Sequence, residues 1–280
     1  MTAPSNILPE LAEADAPASV RAVYAGLREG AASPIAALIW RHVATHPGVL
    51  ESCWAALEPL FVNGRLPDTA WRIARETAPS GLLPCIEPRA QVLLGIRSGH
   101  AATIQTVVEA YNRANPVNLL AVLTLLSRID SDAPPEAAPT VTRSPRPLAI
   151  AQPIPRMTPP AEMSQDVRWL LNDLRFGDKA QLDAVVPSLF RHLTDWPAYL
   201  AVLHIGLAPH FRDGSMADAV ARVERAMSAE AEVLARQIAP VPALQGEPEL
   251  HGTMRRFTSG FIPMMIVVGH AMAEQMKDCE

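Results

Sequence analysis

A chain of 280 residues is long enough for one large domain or two small ones, and 49% hydrophobic residues allow a sizeable core. A net charge of −5, with no basic cluster or stripe, argues against a nucleic-acid partner. Only 5% of residues are aromatic while Ala, Leu and Val dominate, a mix that favours helices over strands.

The first stretch, Met1 to Glu13, has neither a basic start nor an apolar run, so no signal peptide is expected. Asp15 and Pro17 precede Val20, Val23, Tyr24 and Leu27, whose i, i+3, i+4, i+7 spacing predicts one buried helical face. Ser33-Pro34 predicts the start of a second helix, with a capping hydroxyl and proline in the first turn. Pro47 and Pro197 suit a first helical turn. Asn63-Gly64 and Asp213-Gly214 suit left-handed helix stops, and Asp68 and Asp218 are expected to cap the helices that follow. The segments Asn118 to Leu126 and Met264 to Met272 are apolar nearly all round, so both are expected to be buried, most simply against each other. The apolar run Phe261 to Val268 is too short to cross a membrane, which takes about 20 such residues. Cys53, Cys85 and Cys279 lie far apart without a CxxC, arguing against zinc, a redox pair or a disulfide framework. A reduced, cytoplasmic compartment is the expectation, with no membrane association.

An internal repeat organises the rest. At an offset of 150, Arg41, His42, Pro47, Leu50, Leu57, Pro59, Phe61, Gly64, Asp68, Arg72 and Arg75 recur as Arg191, His192, Pro197, Leu200, Leu207, Pro209, Phe211, Gly214, Asp218, Arg222 and Arg225. Composition alone would give about two or three such identities over that stretch. An offset of 147 likewise matches Val20-Arg21 and Leu27-Arg28 to Val167-Arg168 and Leu174-Arg175. Between the copies, Ser131 to Pro160 carries a third of the 27 prolines and no glycine, as an extended, semi-rigid bridge would. The expected organisation is a first helical repeat over 1–130, a proline-rich linker over 131–160 and a second helical repeat over 161–280. The fold class is all-α, with the two tandem repeats closing into an intramolecular pseudo-dimer.

The duplicated Arg-His…Pro motif, the stretch Ala110-Tyr111-Asn112-Arg113-Ala114-Asn115-Pro116 and the proline-rich bridge resemble the group I 2-haloacid dehalogenases, the DehI type, over nearly the whole chain. That resemblance implies an active site between two helical repeats, hydrolysis of both enantiomers of small 2-halocarboxylates, and no metal or organic cofactor. It also implies an aspartate in the second repeat that activates a water to displace halide directly from C2, and an asparagine in the first repeat that helps to position the water. The asparagine falls on Asn115, with Asn118 one turn on as second choice. The aspartate belongs within a residue or two of Pro187, where Asp183-Ala184-Val185-Val186-Pro187-Ser188-Leu189-Phe190 has no carboxylate. Asp183 is the nearest candidate, although its register opposite Ser33 also suits helix capping.

The remaining candidates carry paired readings. Ser188 suits holding a water or a substrate carboxylate. Arg41 and Arg191 suit either a shared structural task, bonding helix ends or carboxylates such as Asp68 and Asp218, or the fork-like grip of a guanidinium on a substrate carboxylate. Asn112, Asn115 and Asn118 lie three apart on one helical face and fit either capping around Pro116 or a polar patch between the repeats. Phe257 and Phe261 suit core packing or an apolar wall to a site, and Met264-Met265 suits the core. Eight histidines show no HxxxH or HExxH spacing, so no metal site is expected, and His204 and His210 read as half-buried or surface residues. Two functions stand open: a small (2-halo)carboxylic acid bound between the repeats and hydrolysed by directly activated water, or a non-catalytic relative serving as a ligand-binding or interaction module. A homodimer is left open.

Overall fold

The computed structural model describes residues 8–131, 133–136, 150, 153–175 and 186–277, and every regular element among them is helical. Pro17 adopts extended backbone (φ −64°, ψ 163°) and hands the chain to α1 (Ala18–Gly30), which buries Val20, Val23, Tyr24 and Leu27 as their spacing predicts. Ser33-Pro34 does not start the next helix. The chain stays irregular until α2 (Leu38–Val43), and Ser33 Oγ instead donates to the Ala110 carbonyl at 2.9 Å, tying this stretch to a distant helix.

α3 (Val49–Val62) and α4 (Arg65–Thr77) follow, separated by Gly64 at φ 80°. Short α5 (Pro88–Leu93) then leads to α6 (Ser98–Ile129), 32 residues with Pro116 inside. Beyond the proline-rich stretch come α7 (Gln165–Asp173), α8 (Ser188–Arg191), α9 (Pro197–Arg212) and α10 (Ser215–Ala235). Pro197 takes the first turn of α9, and Gly214 at φ 86° separates α9 from α10. Asn63 Oδ1 accepts from Arg65 N, and Asp213 Oδ1 accepts from Ser215 N, each at 2.9 Å. These side chains, rather than Asp68 and Asp218, serve the exposed N–H groups at the two helix starts. Asp68 and Asp218 lie inside the first turns, where a negative charge meets the positive end of the helix dipole. The parallel between the two corners is compatible with a duplicated unit.

The last elements are α11 (Pro242–Gln245), α12 (Pro248–Arg256) and α13 (Ile262–Gln275). Between α12 and α13 the helix breaks at Ser259 (φ −96°, ψ 106°) and Gly260 (φ 85°), and the Gly260 N–H donates to Glu224 on α10. An 18-residue window within residues 248–275 is apolar enough for a membrane span, yet 67% of it is buried within the protein, and the helix breaks at Ser259 and Gly260.

α6 is the central pillar, packed against α4, α10 and α13. No residue of its second half is exposed, and Val117, Leu119, Leu120, Ala121 and Val122 are all fully buried. α10 is amphipathic and turns Met216, Ala219, Val223, Met227, Ala231 and Leu234 inward at three- and four-residue steps. Fully burying side chains of Leu or Met size contributes about 1.5–3 kcal/mol each, so the α6–α10–α13 contact is the main apolar store of the fold.

Cys53 is free and fully buried, and burial pushes its thiol up to about 12. The expectation of no disulfide framework is corrected at Cys85, which is disulfide-bonded. Near it, the Ile86 N–H donates to the Gln275 carbonyl at 3.1 Å, so residues 78–87 lie against the end of α13.

Candidate functional site

Five chain segments meet around one cavity of about 90 Å³, the proline-rich stretch contributing Met157. α6 presents Tyr111, Ala114, Asn115 and Asn118, which the helical period places on one face. The irregular stretch before α2 adds Ile35, Ala36 and Ala37, and α2 adds Leu38, Ile39 and Arg41. The start of α8 adds Pro187, Ser188 and Leu189, followed by His192. The α12–α13 break adds Phe257, Phe261 and Ile262, and α13 adds Met265. The volume equals about three waters' share of liquid, room for one molecule of a few heavy atoms.

The polar groups of this wall are partly committed. Asn118 Oδ1 accepts the Trp40 indole N–H at 2.8 Å, which assigns the amide and leaves its NH₂ edge as a donor. Asn115 is half-buried and has no hydrogen-bond partner among the described residues. Ser188 lines the wall with the Tyr111 phenol, whose ionisation burial pushes well above the ordinary range, Ser188 working the other way. His192 Nδ1 lies 2.9 Å from the Pro155 carbonyl, and its ring sits 5.8 Å from that of Tyr111. Desolvation lowers the His192 pKa from its usual 6.5, against the Pro155 bond and with help from the Arg191 and Arg41 charges, which favours the neutral ring.

The two repeat-matched arginines differ. Arg41 Nε donates to Glu10 Oε2 at 2.7 Å, and its Nη1 donates to the Ala36 carbonyl at 3.0 Å. Neither arginine pairs with Asp68 or Asp218 among the described contacts. Arg191 Nε is buried with no hydrogen-bond partner among the described residues. Desolvation lowers the Arg191 pKa, offset by Tyr111 and Glu10, and the Arg41 charge adds to the lowering. Two guanidiniums thus bias the cavity toward an anion, balanced in part by Glu10.

Of the residues singled out in the sequence, Asn115, Asn118, Ser188, Arg41 and Phe261 come together on the cavity wall. Arg191 stands beside it without lining it, and Asp183 lies outside the described residues. Asn112 faces away, donating to the Gly269 carbonyl at 2.9 Å. Tyr111 and His192 are wall residues that the sequence did not propose. Tyr111 lay inside the quoted Ala110 to Pro116 stretch, four residues before Asn115 and thus on the same helical face. For His192 there was no signal, since His42 shares its motif. Among the described residues, no carboxylate lines the cavity and no cluster of three metal-ligating side chains occurs.

The chain matches no protein-family model and no curated relative. Its all-helical fold is shared with solved structures of D-2-haloacid dehalogenases. A complex with L-LA aligns with 17% identity over 97% of each chain, at a TM-score of 0.70. A mutant crystal structure gives 17% identity over 97% of this chain and 96% of that one, at 0.69. A mutant complex with D-2-CPA gives 16% identity over 96% of each chain, at 0.67. At these identities the likeness establishes the fold.

Proposed function

We propose that this protein binds a small carboxylic acid in the cavity between its helical halves and hydrolyses 2-halo acids there, with water attacking C2 directly. One observation carries the reading: a cavity sized for a few heavy atoms, with aromatic walls from Phe257 and Phe261, an Asn115 amide without a partner among the described residues and two nearby guanidiniums, in a fold shared over almost its whole length with D-2-haloacid dehalogenases. The acid's carboxylate meets Ser188 and the arginines, its alkyl and halogen part meets the apolar wall, and Asn115 orients the water. Such positioning lowers the barrier by holding nucleophile and C2 in line before reaction.

Incubation with each enantiomer of 2-chloropropionate tests this. Halide release, reduced at least tenfold in Asn115→Ala, is the expected result. Absence of both halide release and detectable binding overturns it. The lack of a carboxylate among the described lining residues favours a second reading, a binder that holds the acid without turnover. Saturable binding with no halide release identifies that case.

A further inference from the structure

We propose that His192 is the proton acceptor of this cavity, because its Nδ1 is committed to a backbone carbonyl while the ring lines the space in which the acid and water would meet. The inference rests on the reading of the cavity as a small-acid site.

A carbonyl oxygen can only accept, so the 2.9 Å contact from His192 Nδ1 to Pro155 O places the proton on Nδ1. In the neutral ring Nε2 therefore carries the lone pair. Desolvation and the Arg191 and Arg41 charges hold the ring neutral, and the Tyr111 phenol beside it stays un-ionised, so Nε2 is a free base at neutral pH. No carboxylate on the described wall competes for the role.

Repetition alone does not explain the arrangement. His42 makes the matching bond, Nδ1 to the Pro9 carbonyl at 2.7 Å, yet its ring does not line the cavity and packs edge-on against His46 instead. Both copies use the histidine to hold the preceding segment, and the second copy also turns it toward the site. The step balances. A water oxygen forms the bond to C2, the carbon–halogen bond breaks with its electron pair leaving on halide, and the water proton passes to Nε2, giving an imidazolium that later releases it to solvent.

The test compares His192→Gln, His42→Gln and Asp183→Asn by halide release from 2-chloropropionate across pH and by calorimetric binding of the same acid. Loss of a positioned base typically costs about 10² to 10⁴ in rate. We expect His192→Gln to lose at least 10²-fold in kcat while binding the acid within a few-fold of wild type. We also expect the wild-type rate to fall below an inflection under pH 6.5, and His42→Gln to stay close to wild type. Should His192→Gln fail to fold, ¹⁵N spectra of the wild type still decide: the acid must shift the Nε2 signal of an Nδ1–H tautomer. Retained rate in His192→Gln, loss confined to Asp183→Asn, an unmoved Nε2 signal, or binding without any halide release each overturns the proposal. Failure to bind the acid at all overturns the underlying reading instead.

Discussion

Trp40 donates its indole N–H to Asn118 Oδ1 at 2.8 Å, and both residues are buried, at 1% and 5% exposure. This bond joins the α2 edge of the cavity to α6 and orients the amide that faces the site. Trp40→Phe strands the buried acceptor, a loss of about 1–3 kcal/mol, and the smaller ring adds a void. Chemical denaturation of Trp40→Phe, Asn118→Ala and the double variant measures the coupling. The two effects should be non-additive by at least about 0.5 kcal/mol, as for residues in contact. Additive losses would show that the bond contributes nothing.

Arg41 and Arg191 should respond with opposite signs. Arg191→Met removes a buried Nε–H that has no partner among the described residues, so unliganded stability should stay level or rise, because replacing an unsatisfied polar group by an apolar one of similar length lifts a desolvation penalty. Binding of 2-chloropropionate should nevertheless weaken, since a hydrogen bond to a charged group contributes about 1.5–3 kcal/mol, or roughly tenfold to a hundredfold in affinity. Arg41→Met should lower stability slightly. It leaves Glu10 and the Ala36 carbonyl without their donor, but the Arg41–Glu10 pair is partly exposed and such pairs contribute about 0–1 kcal/mol. Thermal melts with and without acid distinguish the two. Equal destabilisation by both substitutions would remove the distinction.

The helices were legible because their causes are local. The 3.6-residue spacing of Val20 to Leu27 needs no knowledge of the partner face, and Gly64 and Gly214 mark left-handed corners by chemistry alone. Ser33 was misread because an ST-Pro pair looks the same whether the hydroxyl caps its own helix or reaches the Ala110 carbonyl across the fold. The cavity was half legible for a similar reason. Asn115 and Asn118 are polar residues on an otherwise apolar segment, an anomaly that sequence displays. The role of His192 depends on which of two identical motifs turns inward, and no residue within either motif records that. The difference between Arg41 and Arg191 was also invisible, because it is set by Glu10, far from either in the chain.

Stability should fall on mild acidification, and His42 and His192 should account for it. Burial depresses both pKa values from 6.5, with the His46 and Arg256 charges adding to the effect at His42 and those of Arg191 and Arg41 at His192. Each depressed histidine binds its proton more readily in the unfolded chain. The unfolded state therefore gains protons first as pH drops through 6.5, and stability declines until the folded-state pKa is reached. Above pH 7.5 neither residue contributes a slope. Urea midpoints at pH 7.5, 6.5 and 5.5 should decline for the wild type and flatten in the His42→Gln/His192→Gln double variant. An unchanged slope in the double variant would assign the decline to other groups.

Gly269→Ala separates helix propensity from packing on the far side of α6. In an open helix the change would stabilise by about 0.5–1 kcal/mol. Here an added Cβ would stand 2.2 Å from Asn112 Oδ1, while the Asn112 NH₂ donates to the Gly269 carbonyl at 2.9 Å. The amide must either be compressed or swing away and give up that bond. Overpacking of a filled site costs about 1–3 kcal/mol, which exceeds the propensity gain, so the single variant should be less stable than wild type. Trimming the obstacle should reverse the sign: with Asn112→Ala in the background, Gly269→Ala has room for its methyl and should recover the propensity term. Denaturant unfolding of the four proteins in this cycle checks the argument. A stabilised Gly269→Ala single variant would mean that the α6–α13 contact yields to a methyl group at no cost, so that the close approach of the two helices does not depend on this glycine.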